Sequence, residues 1–292
     1  MCAIATARTQ RPTTAKLREI DPGLPIGVFD SGVGGLTVLR AIRAALPLES
    51  TLYLGDTARV PYGTKSRESV VRYSMQASDQ LVQRGIKLLV VACNTASALA
   101  LPELRAHLRP LPVIGVVEPG AQAAVAASSR QRHLVLATEA TVAHRAYTHA
   151  IHALDARAQV DELACSLLVA LAEEGWTEGA VAEAAIAKYL APVIALPENE
   201  RPDSVILGCT HFPLLANAIR AGMGPLPTIT DSAAATAKIV TQTLSAARAL
   251  RASSTRGDLR LLATDGPVRF AKLGARFLGE PLAASDVELV DL

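Results

Sequence analysis

The chain has 292 residues, and its 29 Lys and Arg nearly balance 27 Asp and Glu, leaving a formal net charge of +2. Half of the residues are hydrophobic, with 19 Gly and 17 Pro, which excludes a disordered or fibrous chain and supplies enough apolar surface for a large core. Scattered basic residues, 3% aromatics and four widely spaced cysteines without a CxxC pair argue against a nucleic-acid-binding stripe, a zinc knuckle or a disulfide framework. Unpaired cysteines of this kind suit a reducing compartment, so a cytoplasmic location is expected.

Residues 1–24 carry Arg8, Arg11, Lys16 and Arg18 with no continuous apolar segment behind them, and read as a loose extension that includes Cys2. Ile26–Phe29 is a short apolar run followed by the turn Asp30-Ser31-Gly32-Val33-Gly34-Gly35. A helical pattern then starts at Leu36, with Leu39 and Leu46 on one face and Arg40 and Arg43 on the other. Thr51–Leu54 is a second strand, ending at Gly55-Asp56. Residues 66–84 read as a helix with Ser66 as its N-cap and Gly85 just past its end. Leu88–Ala92 is an uninterrupted apolar strand running into Cys93, where a further helix opens. Pro112–Val117 and Leu134–Ala137 repeat the theme, and Cys165 falls in an apolar helical pattern. Val205–Leu207 leads to Gly208-Cys209, and Asp231-Ser232 caps another helix. Leu259–Ala263 reaches Asp265-Gly266, and Val287–Val290 closes the chain. No apolar run approaches the roughly 20 residues of a membrane span.

Fully apolar strands alternating with helices predict an α/β fold of mostly parallel sheets covered on both faces. The expected division is a first α/β lobe over 25–115, a second over 116–224, and a return to the first over 225–292. Two segments form a weak internal repeat, Lys87–Ser97 (KLLVVACNTAS) and Asp203–Pro213 (DSVILGCTHFP). Each places a cysteine at the carboxyl end of an apolar strand, where ligands bind in parallel sheets.

Asn94, Thr95 and Ser97 are poor company for a core cysteine at 93. His211 stands two residues past Cys209, within reach to orient its thiol or exchange a proton with it. The turn after the first strand matches only GxG of the dinucleotide fingerprint, since the third glycine would fall at Thr37. Asp30 there repels a phosphate and welcomes an ammonium group. The loop Gly55–Gly63 offers Tyr62 and Gly63 to a ligand, and Arg59 is placed to pair with Asp56. Two thiols facing each other across a cleft suit removal of a proton from one face of a stereocentre and its return to the other, with neither metal nor covalent cofactor. A Cys-His hydrolase using Cys209 and His211 is the alternative, and it leaves Cys93 without a role.

The segments VFDSGVGGLTVL (28–39), LGDTARVPYG (54–63), VVACNTAS (90–97), VVEP (116–119), LATEATV (136–142), ILGCTHFPLL (206–215) and TDSA (230–233) together resemble the cofactor-independent glutamate racemases of the aspartate/glutamate racemase superfamily. The resemblance implies two similar α/β lobes with the active site in the cleft between them and no pyridoxal phosphate. It implies that Cys93, assisted by Asp30, handles the α-proton of D-glutamate, and Cys209, assisted by His211, that of L-glutamate. The further acidic residue falls at Glu173, with Glu174 its neighbour. Substrate contacts are implied for Asp30, Ser31, Pro61, Tyr62, Gly63, Asn94, Thr95, Thr138, Thr141, Thr210 and His211. Ser166 and Ala170 replace prolines common in that stretch of the family. Supply of D-glutamate for bacterial peptidoglycan, and hence cell shape, and a homodimer are implied as well. Aspartate or another small acid remains an alternative substrate, because one methylene discriminates by only about 1–3 kcal/mol. A small-acid binding or regulatory protein using the same cleft is the non-enzymatic alternative.

Overall fold

Uninterrupted apolar segments become strands buried on both faces, and those strands set the positions of everything else. The computed structural model describes residues 20–292, so most of the expected extension, with Cys2, lies outside the described residues. The chain begins with strand β1 (Ile26–Asp30), helix α1 (Leu36–Ala45), β2 (Thr51–Gly55) and α2 (Arg67–Gln83). β3 (Leu88–Val91) leads to α3 (Asn94–Leu99) and α4 (Leu101–His107), then β4 (Val113–Gly115) and α5 (Val117–Ala127). β5 (Arg132–Ala137), α6 (Glu139–Ala143), α7 (Ala146–His152) and β6 (Gln159–Ala164) follow, with α8 (Leu167–Glu174) and α9 (Ala180–Ile194) behind them. After β7 (Ser204–Gly208) come α10 (Ala216–Met223), β8 (Thr228–Asp231) and α11 (Ser232–Ala246). β9 (Leu259–Ala263), α12 (Pro267–Leu278) and β10 (Val287–Leu289) complete the order.

Six strands form one sheet in the order β10-β9-β2-β1-β3-β4, and four form a second, β6-β5-β7-β8. Every pairing is parallel, with Ile26 of β1 flanked by Thr51 and Leu88. This is the expected α/β class, two parallel sheets flanked by helices. Sheet membership differs from the expected division at one place: Thr228 of β8 pairs with Ser204 of β7, so the second sheet runs past residue 224. The reason is that β8 adds the edge beside β7 before α11 carries the chain back towards β9. α11 packs against both α1 and α5, so the helices of the two sheets share apolar surface.

Local signals set the helix ends. Ser66 caps α2 through its side chain, accepting from the Ser69 amide at 3.3 Å, and Gly85 adopts φ +76° just beyond. Asp231 caps α11 by accepting from the Ala233 amide at 2.8 Å. Two expectations shift. Val116 and Val117 leave the strand that ends at Gly115, because Val117 opens α5. Cys165 sits between β6 and α8 rather than within a helix, fully buried in the apolar core. Among the described residues, no helix is long and apolar enough to cross a membrane.

Candidate active site

The carboxyl ends of β1, β2 and β3 from one sheet and of β5, β6 and β7 from the other meet around a cavity of about 270 Å³. Cys93 and Cys209 both line it, at 5% and 7% exposure, and neither is in a disulfide. Cys209 follows directly on β7, and Cys93 is separated from the end of β3 by Ala92 alone.

Around Cys93 the surroundings are acidic. Its Sγ lies 3.5 Å from Ser31 Oγ and 3.4 Å from the Ala96 amide of α3. Burial, reinforced by the neighbouring Asp30 carboxylate, pushes this thiol up to about 12. Asp30 closes β1 one layer behind the cavity wall. Its Oδ2 accepts from the Gly32 amide at 3.0 Å, while Oδ1 is buried without a partner. Burial raises the Asp30 carboxyl, against the opposing pull of His211 and of the Gly35, Gly32 and Ser31 amides. Gly35 makes this closeness feasible, since a Cβ there would run into Asp30 and Ala92.

Around Cys209 the neighbour is an imidazole. His211 Nδ1 lies 3.8 Å from Cys209 Sγ, and Nε2 lies 3.3 Å from Glu173 Oε1. Burial alone would lower this imidazole, but its hydrogen bonds to Cys209 and Glu173 outweigh burial and raise it to about 10. The hydrogen bond to His211 in turn lowers Glu173. Glu173 faces the cavity, whereas Glu174 next to it is exposed.

The expected ligand contacts divide into a front and a back row. Ser31, Pro61, Tyr62 and Gly63 line the cavity, as do Asn94, Thr95, Thr138, Thr210 and His211. Asn94 Oδ1 accepts from the Tyr147 hydroxyl at 2.7 Å, and its Nδ2 is buried without a partner, which makes it a ready donor to an anion. Thr141 is fully buried behind the wall, 3.1 Å from Thr138 Oγ1 and 3.5 Å from Thr95 Oγ1, whose hydroxyls are 2.9 Å apart. The Tyr62 hydroxyl donates to Asp56, so its proton is already committed, and Arg59 Nε also donates to Asp56 at 2.7 Å.

Sequence reasoning missed Ser166 and Val169 as cavity wall, together with Ala170, Val60 and Thr64. Their positions just after strand ends, or on the α8 face carrying Glu173, are the signal that would have found them. Among the described residues, no group of three or more His, Cys, Asp or Glu side chains is placed to hold a metal ion. The arrangement presents two sulfurs in one cavity, one beside a carboxyl group and the other beside an imidazole.

The sequence profile of the Asp/Glu/Hydantoin racemase family matches residues 33–240. A glutamate racemase of Geobacter metallireducens is 48% identical over 271 residues, covering 93% of this chain and 98% of that protein. Among solved structures, a glutamate racemase isoform of Bacillus anthracis superposes with a TM-score of 0.85 at 36% identity, covering 92% of this chain and 98% of the other. The glutamate racemase of Francisella tularensis, solved in complex with D-glutamate, superposes with a TM-score of 0.84 at 31% identity, covering 92% of this chain and 98% of the other.

Proposed function

The chain belongs to the Asp/Glu/Hydantoin racemase family, and from that premise we propose that it interconverts L- and D-glutamate by proton transfer between its two cavity thiols. The observation that carries this reading is that Cys93 and Cys209 line one cavity, with the Asp30 carboxyl behind the first and the His211 imidazole 3.8 Å from the second. A two-base racemisation needs one sulfur without a proton and one with it, and the roles exchange with the direction of reaction. An L-substrate loses its α-proton to Cys209, with His211 and Glu173 behind it. The planar carbanion then takes a proton from Cys93 on the opposite face, with Asp30 behind it. The D-substrate runs the same steps in reverse. The Asn94 amide and the Thr95 and Thr138 hydroxyls supply donors for the carboxylates, and Ser31 a polar contact on the Cys93 side. Side chains of the protein handle both protons, with no part for a cofactor. A Cys-His hydrolase built on Cys209 and His211 gives Cys93 nothing to do.

The biological setting proposed with this activity is supply of D-glutamate for peptidoglycan in a bacterial cytoplasm, by a homodimer. The direct experiment follows the α-hydrogen by proton NMR, with L- and D-glutamate incubated separately in D₂O and the product configuration assayed. The intact protein should exchange the α-hydrogen and interconvert the enantiomers. Cys93→Ala and Cys209→Ala should each lose interconversion by at least about 10³-fold. Folded protein that binds glutamate but leaves its α-hydrogen untouched would refute the proposal.

A further inference from the structure

Outside the two thiols and their immediate partners, one helix brings three side chains to the Cys209 half of the site. α12 follows β9 of the six-stranded sheet, yet it reaches across to Glu173, whose helix follows β6 of the other sheet. Arg269 Nη2 donates to Glu173 Oε2 at 3.1 Å, and Arg276 Nη1 donates to the Glu173 carbonyl at 2.8 Å. Phe277 stands edge-on to the His211 ring, with centroids 5.0 Å apart. Glu173 therefore divides its oxygens, Oε2 to a guanidinium and Oε1 to His211 Nε2. A separate cavity of about 180 Å³ opens beside the pair, lined by Glu173, Arg269, Gly266 and Phe270.

We propose that Arg269 is a positioning residue: by holding Glu173 through Oε2 it keeps Oε1 on His211, and through His211 it governs proton transfer at Cys209 but not at Cys93. The proposal rests on the two-thiol reading above. A glutamate side chain has three rotatable bonds, and the neighbouring cavity gives an unheld carboxylate room to turn into. Turning breaks the contact with Nε2, and His211 loses the acceptor that orients it. Arg269 is 68% exposed, so solvent and salt screen its charge as seen from His211. What survives screening is direction, supplied by a charge-assisted hydrogen bond. Arg276 holds the same residue by its backbone, which places α8 but leaves the carboxylate free to rotate.

Arg269→Gln and Arg269→Lys are compared with the intact protein, with Glu173→Gln and with the Arg269→Gln/Glu173→Gln double variant. L- and D-glutamate have equal free energies in water, so kcat/KM must change by one factor in both directions. For Arg269→Gln the expected fall is roughly 10- to 100-fold, carried in kcat, with Arg269→Lys recovering most of it. In the Glu173→Gln background the arginine change should add nothing.

The side-specific readout is hydrogen exchange in D₂O. With delivery from Cys209 slowed and Cys93 intact, D-glutamate should gain α-deuterium ahead of inversion, while L-glutamate should not. A general packing defect slows both half-reactions and leaves that balance unmoved. A readout independent of substrate is the alkylation of Cys209 relative to Cys93 by iodoacetamide, followed on peptides by mass spectrometry. Arg269→Gln should lower that ratio severalfold and Arg269→Lys should restore it. An unchanged or raised ratio, or a full additive loss in the double variant, overturns the positioning role. If the intact protein fails to interconvert glutamate while the alkylation ratio still responds as expected, the substrate reading falls and the positioning role stands.

Discussion

The hydroxyl of Tyr62 is committed to Asp56, which also accepts from Arg59 Nε at 2.7 Å and from Thr264 Oγ1 at 2.9 Å. A carboxylate with three donors shapes the loop that puts Gly63 against Thr138, where a Cβ would collide with the threonine side chain. The Tyr62 hydroxyl is thus committed to the frame of the cavity, whereas Asn94 lines it with a buried and unpartnered Nδ2. Tyr62→Phe should cost about 2 kcal/mol of stability, a hydrogen bond to a charged group, and leave KM for glutamate within a few-fold. Asn94→Ala should raise KM by 10-fold or more, because a charge-assisted donor to substrate is lost. Urea unfolding and steady-state kinetics on both variants check the contrast, and equal KM effects would refute the division of roles.

Among the elements, the segment entering β5 depends on one carboxylate from the start of β7. Asp203 accepts from Ser128 Oγ at 2.7 Å and from the amides of Ser129, Arg130 and Arg132 at 2.9, 2.8 and 3.2 Å. Partial burial alone would raise this carboxyl, but those donors outweigh it and bring it down to about 2 from an ordinary 3.8. A carboxylate lowered on folding stabilises the protein above its ordinary value and loses that contribution as the pH falls through its folded value. Asp203→Asn should therefore be less stable than the intact protein at neutral pH, by about 1 kcal/mol once solvent screening of this partly exposed carboxylate is allowed for. The gap should close between pH 3.8 and about 2, which urea midpoints across that range would test. A gap that persists at the acid end would mean that packing and not charge holds the segment. Legibility at this scale followed burial. Central strands β1, β3, β5 and β7 lie between neighbours and read as apolar runs, whereas β6 and β8, the edges of the smaller sheet, are half-polar and gave no such signal.

Across the whole molecule, a buried ion pair joins segments far apart in the chain. Lys87, fully buried just before β3, pairs with Glu49 and donates to the carbonyls of Pro22 and Ala249 at 2.9 Å each. Glu49 Oε1 accepts from the Arg251 amide at 2.8 Å, so the stretch returning from α11 to β9 is pinned to the base of the first sheet. Removing one partner strands a charge away from water. Lys87→Met and Glu49→Leu should each cost about 3–5 kcal/mol, and the double substitution should cost less than their sum. Urea unfolding of the three variants measures the coupling, and strict additivity would show that the pair contributes nothing of its own.

Much of the site could be read from consecutive residues. An apolar strand ending in Cys-Asn-Thr or Cys-Thr-His declares both its burial and the polar, cavity-lining end that follows, because strand length and side-chain alternation act over a few residues. The α/β class was legible for that reason, and so was the placement of Asp30, Cys93, Cys209 and His211 at or just past strand ends. Tertiary structure alone decided the rest. Glu173 meets His211 across 38 residues and Arg269 across 96, separations at which no local pattern records a contact. The Tyr62 hydroxyl found Asp56, and Thr141 came to lie behind Thr95 and Thr138, because hydrogen-bond partners are assigned only when distant strand ends converge. The chain's own order of residues determined which groups stand at the strand ends; the packing of two sheets determined which of them line one cavity and reach hydrogen-bonding distance, since that depends on a few ångströms between groups that the sequence keeps far apart.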